Sequence, residues 1–151
     1  MNKQQGFSLI ELLIVVAIIA IIAAIAVPSM LTSRMAANEA SAIQGCRTVG
    51  SAEVAYSAVN NQAYASLDDL VTGKFLDERF TNPEGFNGYV YEDGAALALP
   101  GVFEYASNPK TTDSTGRYNY TISVDQVVRY GDQPATGNSA GDAIGQQGSG
   151  S

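Results

Sequence analysis

From Phe7 to Val27 the chain reads FSLIELLIVVAIIAIIAAIAV, an apolar run interrupted by a single charge, Glu11. At about 1.5 Å per helical residue the run covers roughly 30 Å, the hydrocarbon thickness of a bilayer. It is therefore expected to fold as a membrane-crossing helix. A carboxylate inside such a helix costs about 2.5–3.5 kcal/mol at its centre and less near the interface. No cation lies within reach on the same helix face. The group that offsets the cost is expected on another molecule.

At 151 residues the chain has room for this run and one modest globular domain. The formal net charge of −7 argues against nucleic-acid binding, which requires a basic face. Histidine is absent, which removes the commonest general base and metal ligand. The single cysteine, Cys46, can neither close an intrachain disulfide nor build a cysteine-rich zinc site. No nucleophile–base motif accompanies these absences, and no catalysis is expected. The leading residues MNKQQG carry Lys3 and the amino terminus, so the positive-inside rule keeps them cytoplasmic and directs the rest outward. The apolar run is too long for an ordinary secretory signal, and no A-x-A-like exit follows it.

Pro28 ends the run, removes one helical hydrogen bond, and should bend the helix or loosen the turn before it, which makes it the expected break in one long helix. Residues 29–60 read as a second helical half. Its expected apolar stripe is Ala36, Ala40, Ile43, Cys46, Gly50 and Val54, with Arg34, Asn38, Glu39, Arg47 and Glu53 off it. Asn60-Asn61 should end the helix. Residues 66–76 read as a short helix with Ser66 as N-cap, Asp69 in the capping-box position and Gly73 as its stop. The period then changes. Tyr89–Tyr91, Val102–Tyr105, Tyr118–Val124 and Val127–Tyr130 are expected strands of an antiparallel sheet, separated by turn dipeptides. Tyr118, Tyr120, Ile122 and Val124 should face the helix. The fold class is α+β. The segments are a leader (1–6), a membrane helix (7–28), an amphipathic helix (29–60), a globular head (61–130) and a flexible Gly/Ser/Gln-rich tail (131–151).

Gly6-Phe7-Ser8-Leu9-Ile10-Glu11, the short basic leader before it and Pro28 after it resemble the amino terminus of type IV pilins and the type II secretion pseudopilins. The resemblance is close over residues 1–30 and architectural beyond. It implies a long helix, half of it transmembrane, packed on a small antiparallel head. It implies cleavage between Gly6 and Phe7 by a membrane prepilin peptidase that also N-methylates Phe7. Glu11 then stands where the family's buried glutamate neutralises the amine of a neighbouring subunit. Pro28 stands where the family helix loosens in filaments. Removing the leader takes away Lys3 and makes the chain one charge more negative. Small residues such as Ala17, Ala20, Ala23 and Ala24 would let the helices bundle.

The resemblance implies a pilin, held in the inner membrane as a precursor with its amino terminus cytoplasmic and assembled into an extracellular filament. Its partners would be other copies of itself, the peptidase, and an assembly platform with its motor. The alternatives are a type II secretion pseudopilin and a permanently anchored binding domain. Cys46 reads as a buried small hydrophobe, with an intermolecular crosslink the other reading. Many type IV pilins close a carboxyl-terminal loop by a disulfide, which this chain lacks the cysteines to form. No cofactor is expected. Asp125, Asp132 and Asp142 offer oxygen ligands for calcium, but their spacing matches no tight calcium loop, so they read as solvated acids. Asn119-Tyr120-Thr121 is a glycosylation pattern set in a strand. The last hairpin, Ser123–Tyr130, has no glycine for its turn.

Overall fold

The structure, a computed structural model, describes residues 7–94, 101–131, 142 and 143. The chain divides into two compact units, residues 1–34 and 35–151. The helix α1 (Leu9–Val59) supplies residues to both. In the first unit every large apolar side chain from Phe7 to Leu31 is exposed. Among the described residues α1 is the helix long and apolar enough to cross a membrane, with a mean hydropathy of 3.2 over its most apolar window.

The second unit is an α+β head. The rest of α1 is followed by α2 (Leu67–Thr72), a 3₁₀ turn (Glu78–Thr81), and strands β1 (Tyr89–Asp93), β2 (Glu104–Pro109), β3 (Asn119–Ser123), β4 (Arg129–Gly131) and β5 (Asp142–Ala143). The sheet runs in the order β1-β2-β3-β4-β5, antiparallel throughout, with Tyr91 opposite Ser107, Tyr105 opposite Ile122 and Tyr120 opposite Tyr130. α1 ends at Val59, as the Asn60-Asn61 pair predicts, and Asn61 and Gln62 take left-handed conformations (φ 54° and 62°). Asparagine tolerates this conformation because its short side chain can bond locally. α2 starts as predicted: the Ser66 hydroxyl accepts the Asp69 N–H at 3.1 Å. Gly73 closes it, but the left-handed residue is Lys74.

The core joins Ala42, Cys46, Val49 and Ala52 of α1 to Leu67 and Leu70 of α2 and to Tyr89, Tyr91, Tyr105, Tyr120 and Ile122 of the sheet. Small helix residues make room for the large strand residues. A Cβ on Gly45 would run into the Tyr91 hydroxyl and ring.

Three expectations need correction. The buried face of α1 runs through Met35, Ala42, Cys46, Val49 and Glu53, while Ala36, Ala40 and Val54 are exposed. The second half of α1 is so rich in alanine that spacing alone does not set its phase, and Glu53, read as off the stripe, is on it. In β3 both faces are buried: Asn119, Thr121 and Ser123 are covered as well as Tyr120 and Ile122, and Val124 lies exposed past the strand end. Finally, Gly131 closes β4, and Asp142–Ala143 pairs with β4, inside the span read as a flexible tail. A short edge strand leaves unpaired backbone groups, and pairing them needs no apolar pattern. The other residues of the tail, and the leader 1–6, lie outside the described residues.

Candidate assembly site at the amino terminus

α1 begins at Leu9, which puts Ser8 at the N-cap and Glu11 three positions on. The Ser8 N–H donates to Glu11 Oε2 at 2.9 Å, and Ser8 O accepts the first helical bond from Leu12 at 3.2 Å. This is the reciprocal half of a capping box, in which a carboxylate reaches back to a backbone N–H that the helix leaves unpaired. A first-turn carboxylate also faces the positive end of the helix dipole. The S-x-x-E spacing is the sequence signature of this cap, set in a run where Glu11 otherwise reads only as a charge in lipid. Among the described residues Glu11 makes no ion pair, and its Oε1 accepts no hydrogen bond. The carboxylate is thus held at the helix start through Oε2. Phe7 stands just ahead of the cap, 89% exposed. Gly6 lies outside the described residues.

Pro28 lies within α1, and the helix runs on through it without the expected break. Pro28 has no N–H for the carbonyl four residues earlier. In the turn that follows, Thr32 Oγ1 donates to Ser29 O at 3.0 Å and Ser33 Oγ donates to Ser29 O at 2.9 Å. Residues 1–27 match the family model described as the prokaryotic N-terminal methylation motif. Over these residues the chain is similar to the amino terminus of type IV pilin and pseudopilin prepilins. No curated protein matches it at a significant level.

The matched segment stops short of the head, whose own polar residues fasten it to α1. Glu53 is fully buried. Its carboxylate accepts the Ala65 N–H at 3.1 Å and the Tyr105 hydroxyl, which also lies against Ala65 O. Burial pushes the Glu53 carboxyl above its usual range, against the pull of Tyr105 and Ala65, and Asp93 adds to the rise. Asp93 accepts the Leu67 N–H at 2.9 Å and is raised by burial too. Further along α1, Asn38 donates to Thr115 O at 2.9 Å, Glu39 accepts the Arg117 N–H at 2.8 Å, and Ser41 accepts from Asn87 at 2.8 Å. These three helix residues hold the loops that flank β1 and β3. In the sequence Asn38 and Glu39 read only as polar residues off the apolar stripe, since polar residues on a helix normally read as solvated. The step 42-46-49-53 could have pointed to Glu53, because it continues the buried face.

The remaining candidates resolve simply. Cys46 is buried, and burial pushes its thiol up to about 12. It is a core residue that a crosslinking partner could not reach in the folded head. Asn119 is buried within β3 and equally out of reach of glycosylation there. Asp125 is held by the Arg129 guanidinium at 2.5 Å, by Ser123 Oγ at 3.1 Å and by the Val127 N–H at 3.0 Å, which together draw its carboxyl down to about 2. Asp132 lies outside the described residues, and among those described no metal-holding group of acids, histidine or cysteine forms. The glycine-free turn is made by Gln126 in a left-handed conformation (φ 59°), its N–H donating to Ser123 O at 2.9 Å.

Proposed function

We propose that the chain is the structural subunit of a type IV pilus. It is cleaved between Gly6 and Phe7, methylated on the new Phe7 amine, and polymerised through α1. The observation that carries this reading is the exposed apolar half of α1, with a single carboxylate fixed at its start inside the methylation motif. Cleavage creates a cation beside that carboxylate. Phe7 and Glu11 lie four apart and so face the same side of a helix. The amine offsets Glu11 partly within one chain, and staggered packing pairs it with the next. The precursor waits in the inner membrane, amino terminus inward. The platform and motor then draw its apolar helix out of lipid and into a bundle of like helices, so apolar surface passes from one dry environment to another. The helix turn before Pro28 is the place for it to loosen in the filament. The role is mechanical and requires neither catalysis nor a cofactor.

A pseudopilin would share every amino-terminal feature. Its expected hallmark is a calcium-ordered carboxyl-terminal loop, and the engagement of Asp125 by Arg129 favours the pilus. Replacing Glu11 tests the pairing. The Glu11→Ala chain should insert in the membrane at wild-type level and give little or no filament. Filament yield equal to wild type would sink the pairing argument.

A further inference from the structure

A groove of about 260 Å³ opens on the head beside α1, lined by Glu39, Ile43, Tyr118, Tyr120 and Tyr130. The Tyr118 and Tyr130 rings meet edge to face, with centroids 5.3 Å apart and planes at 73°, and so wall a corner. One Glu39 oxygen accepts the Arg117 N–H, while the other has no partner among the described residues. Tyrosine ring faces and a carboxylate oxygen in one recess attract a cation. The volume lies below the roughly 300–1,000 Å³ of drug-sized ligand sites and suits a single side chain.

We propose that this groove receives the Lys74 ammonium of a second copy of the chain. The proposal rests on the polymer reading above and names a contact between heads. Of the other basic residues between 35 and 131, Arg79, Lys110 and Arg129 already pair with Asp77, Glu84 and Asp125. Arg117 belongs to the loop that Glu39 holds. Arg47 stands one helical turn beyond Ile43, on the groove's own flank of α1. Lys74 is exposed and has no acidic partner among the described residues. Its backbone is fixed, with φ 63° and its N–H on Val71 O at 3.1 Å. The adjoining Phe75 ring packs edge-on against Tyr56 of α1, centroids 5.4 Å apart. Ile43 and Tyr56 lie about 20 Å apart along the helix and about 140° apart around it. Groove and Lys74 therefore sit on different flanks of one head and cannot meet within a copy. A head-to-tail polymer requires two such unlike, complementary patches.

The test is zero-length carbodiimide coupling on filaments sheared from cells, since this reagent joins a carboxylate to an amine only where the two touch. The expected result is a ladder of coupled chains on a denaturing gel, with a peptide joining Glu39 to Lys74. Filaments of the Glu39→Gln chain, which keeps an acceptor for the Arg117 N–H, should lose that joined peptide. Filaments in which Glu39 joins Lys110, another protein or no lysine would overturn this contact and leave the polymer standing. A wild-type chain that forms no polymer would overturn both.

Discussion

At the scale of single residues, the chain places two carboxylates where apolar side chains would be cheaper, and each is held by a backbone N–H. Glu11 caps the start of α1 and Glu53 ties α1 to the segment before α2. The Tyr105 hydroxyl touches both Glu53 Oε1 and Ala65 O but can donate to one of them. The raised Glu53 and Asp93 groups bind their protons more tightly folded than unfolded. Their contribution to stability is full below the ordinary values of 4.5 and 3.8 and is lost as pH rises through the raised folded values. Asp125, drawn down to about 2, acts oppositely: its contribution is present above 3.8 and lost as pH falls through about 2. The urea midpoint of the detergent-solubilised chain should therefore fall as pH rises from 4.5 towards neutrality. The Glu53→Gln chain should show a flatter profile over that range. An equally steep fall in that variant would remove Glu53 as its source.

At the scale of elements, each is shaped by a local rule and a packing rule, and the sequence exposed the first better than the second. The Asn60-Asn61 stop, the Ser66 cap and the strand alternation from Tyr118 are local chemistry, legible in neighbouring residues. The phase of α1 in the head is a packing matter, set by which residues meet Tyr91 and Tyr105 across the core. The same is true of the second covered face of β3. β5 had no legible signal, since a strand in a Gly/Ser/Gln-rich span is defined by the edge it pairs with. Two substitutions separate the rules. Ser66→Ala removes only the cap of α2 and should cost about 1 kcal/mol in urea unfolding. Gly45→Ala improves helix propensity but drives a methyl into the Tyr91 ring. It should destabilise by about 1–3 kcal/mol, as overpacked cores do. A Gly45→Ala chain more stable than wild type would mean that Tyr91 is free to move aside.

At the scale of the whole molecule, two kinds of surface divide the work. Residues 7–31 expose an apolar surface that water will not tolerate, while the head buries its own core and carries the acidic exterior. The amino-terminal motif was legible in the sequence, because membrane insertion and processing act on a linear segment. The head's fastenings to α1 were not, because Asn38, Glu39 and Glu53 find partners far along the chain. The central claim is that the molecule is a processed subunit of a surface filament. The most direct measurement shears native cells and takes intact mass and amino-terminal sequence from the sheared and membrane fractions. The account predicts abundant sheared protein beginning at methylated Phe7. The same processed form confined to membranes would contradict the pilus and favour a pseudopilin. Protein still beginning at Met1 in both fractions would contradict the filament itself and leave an anchored domain.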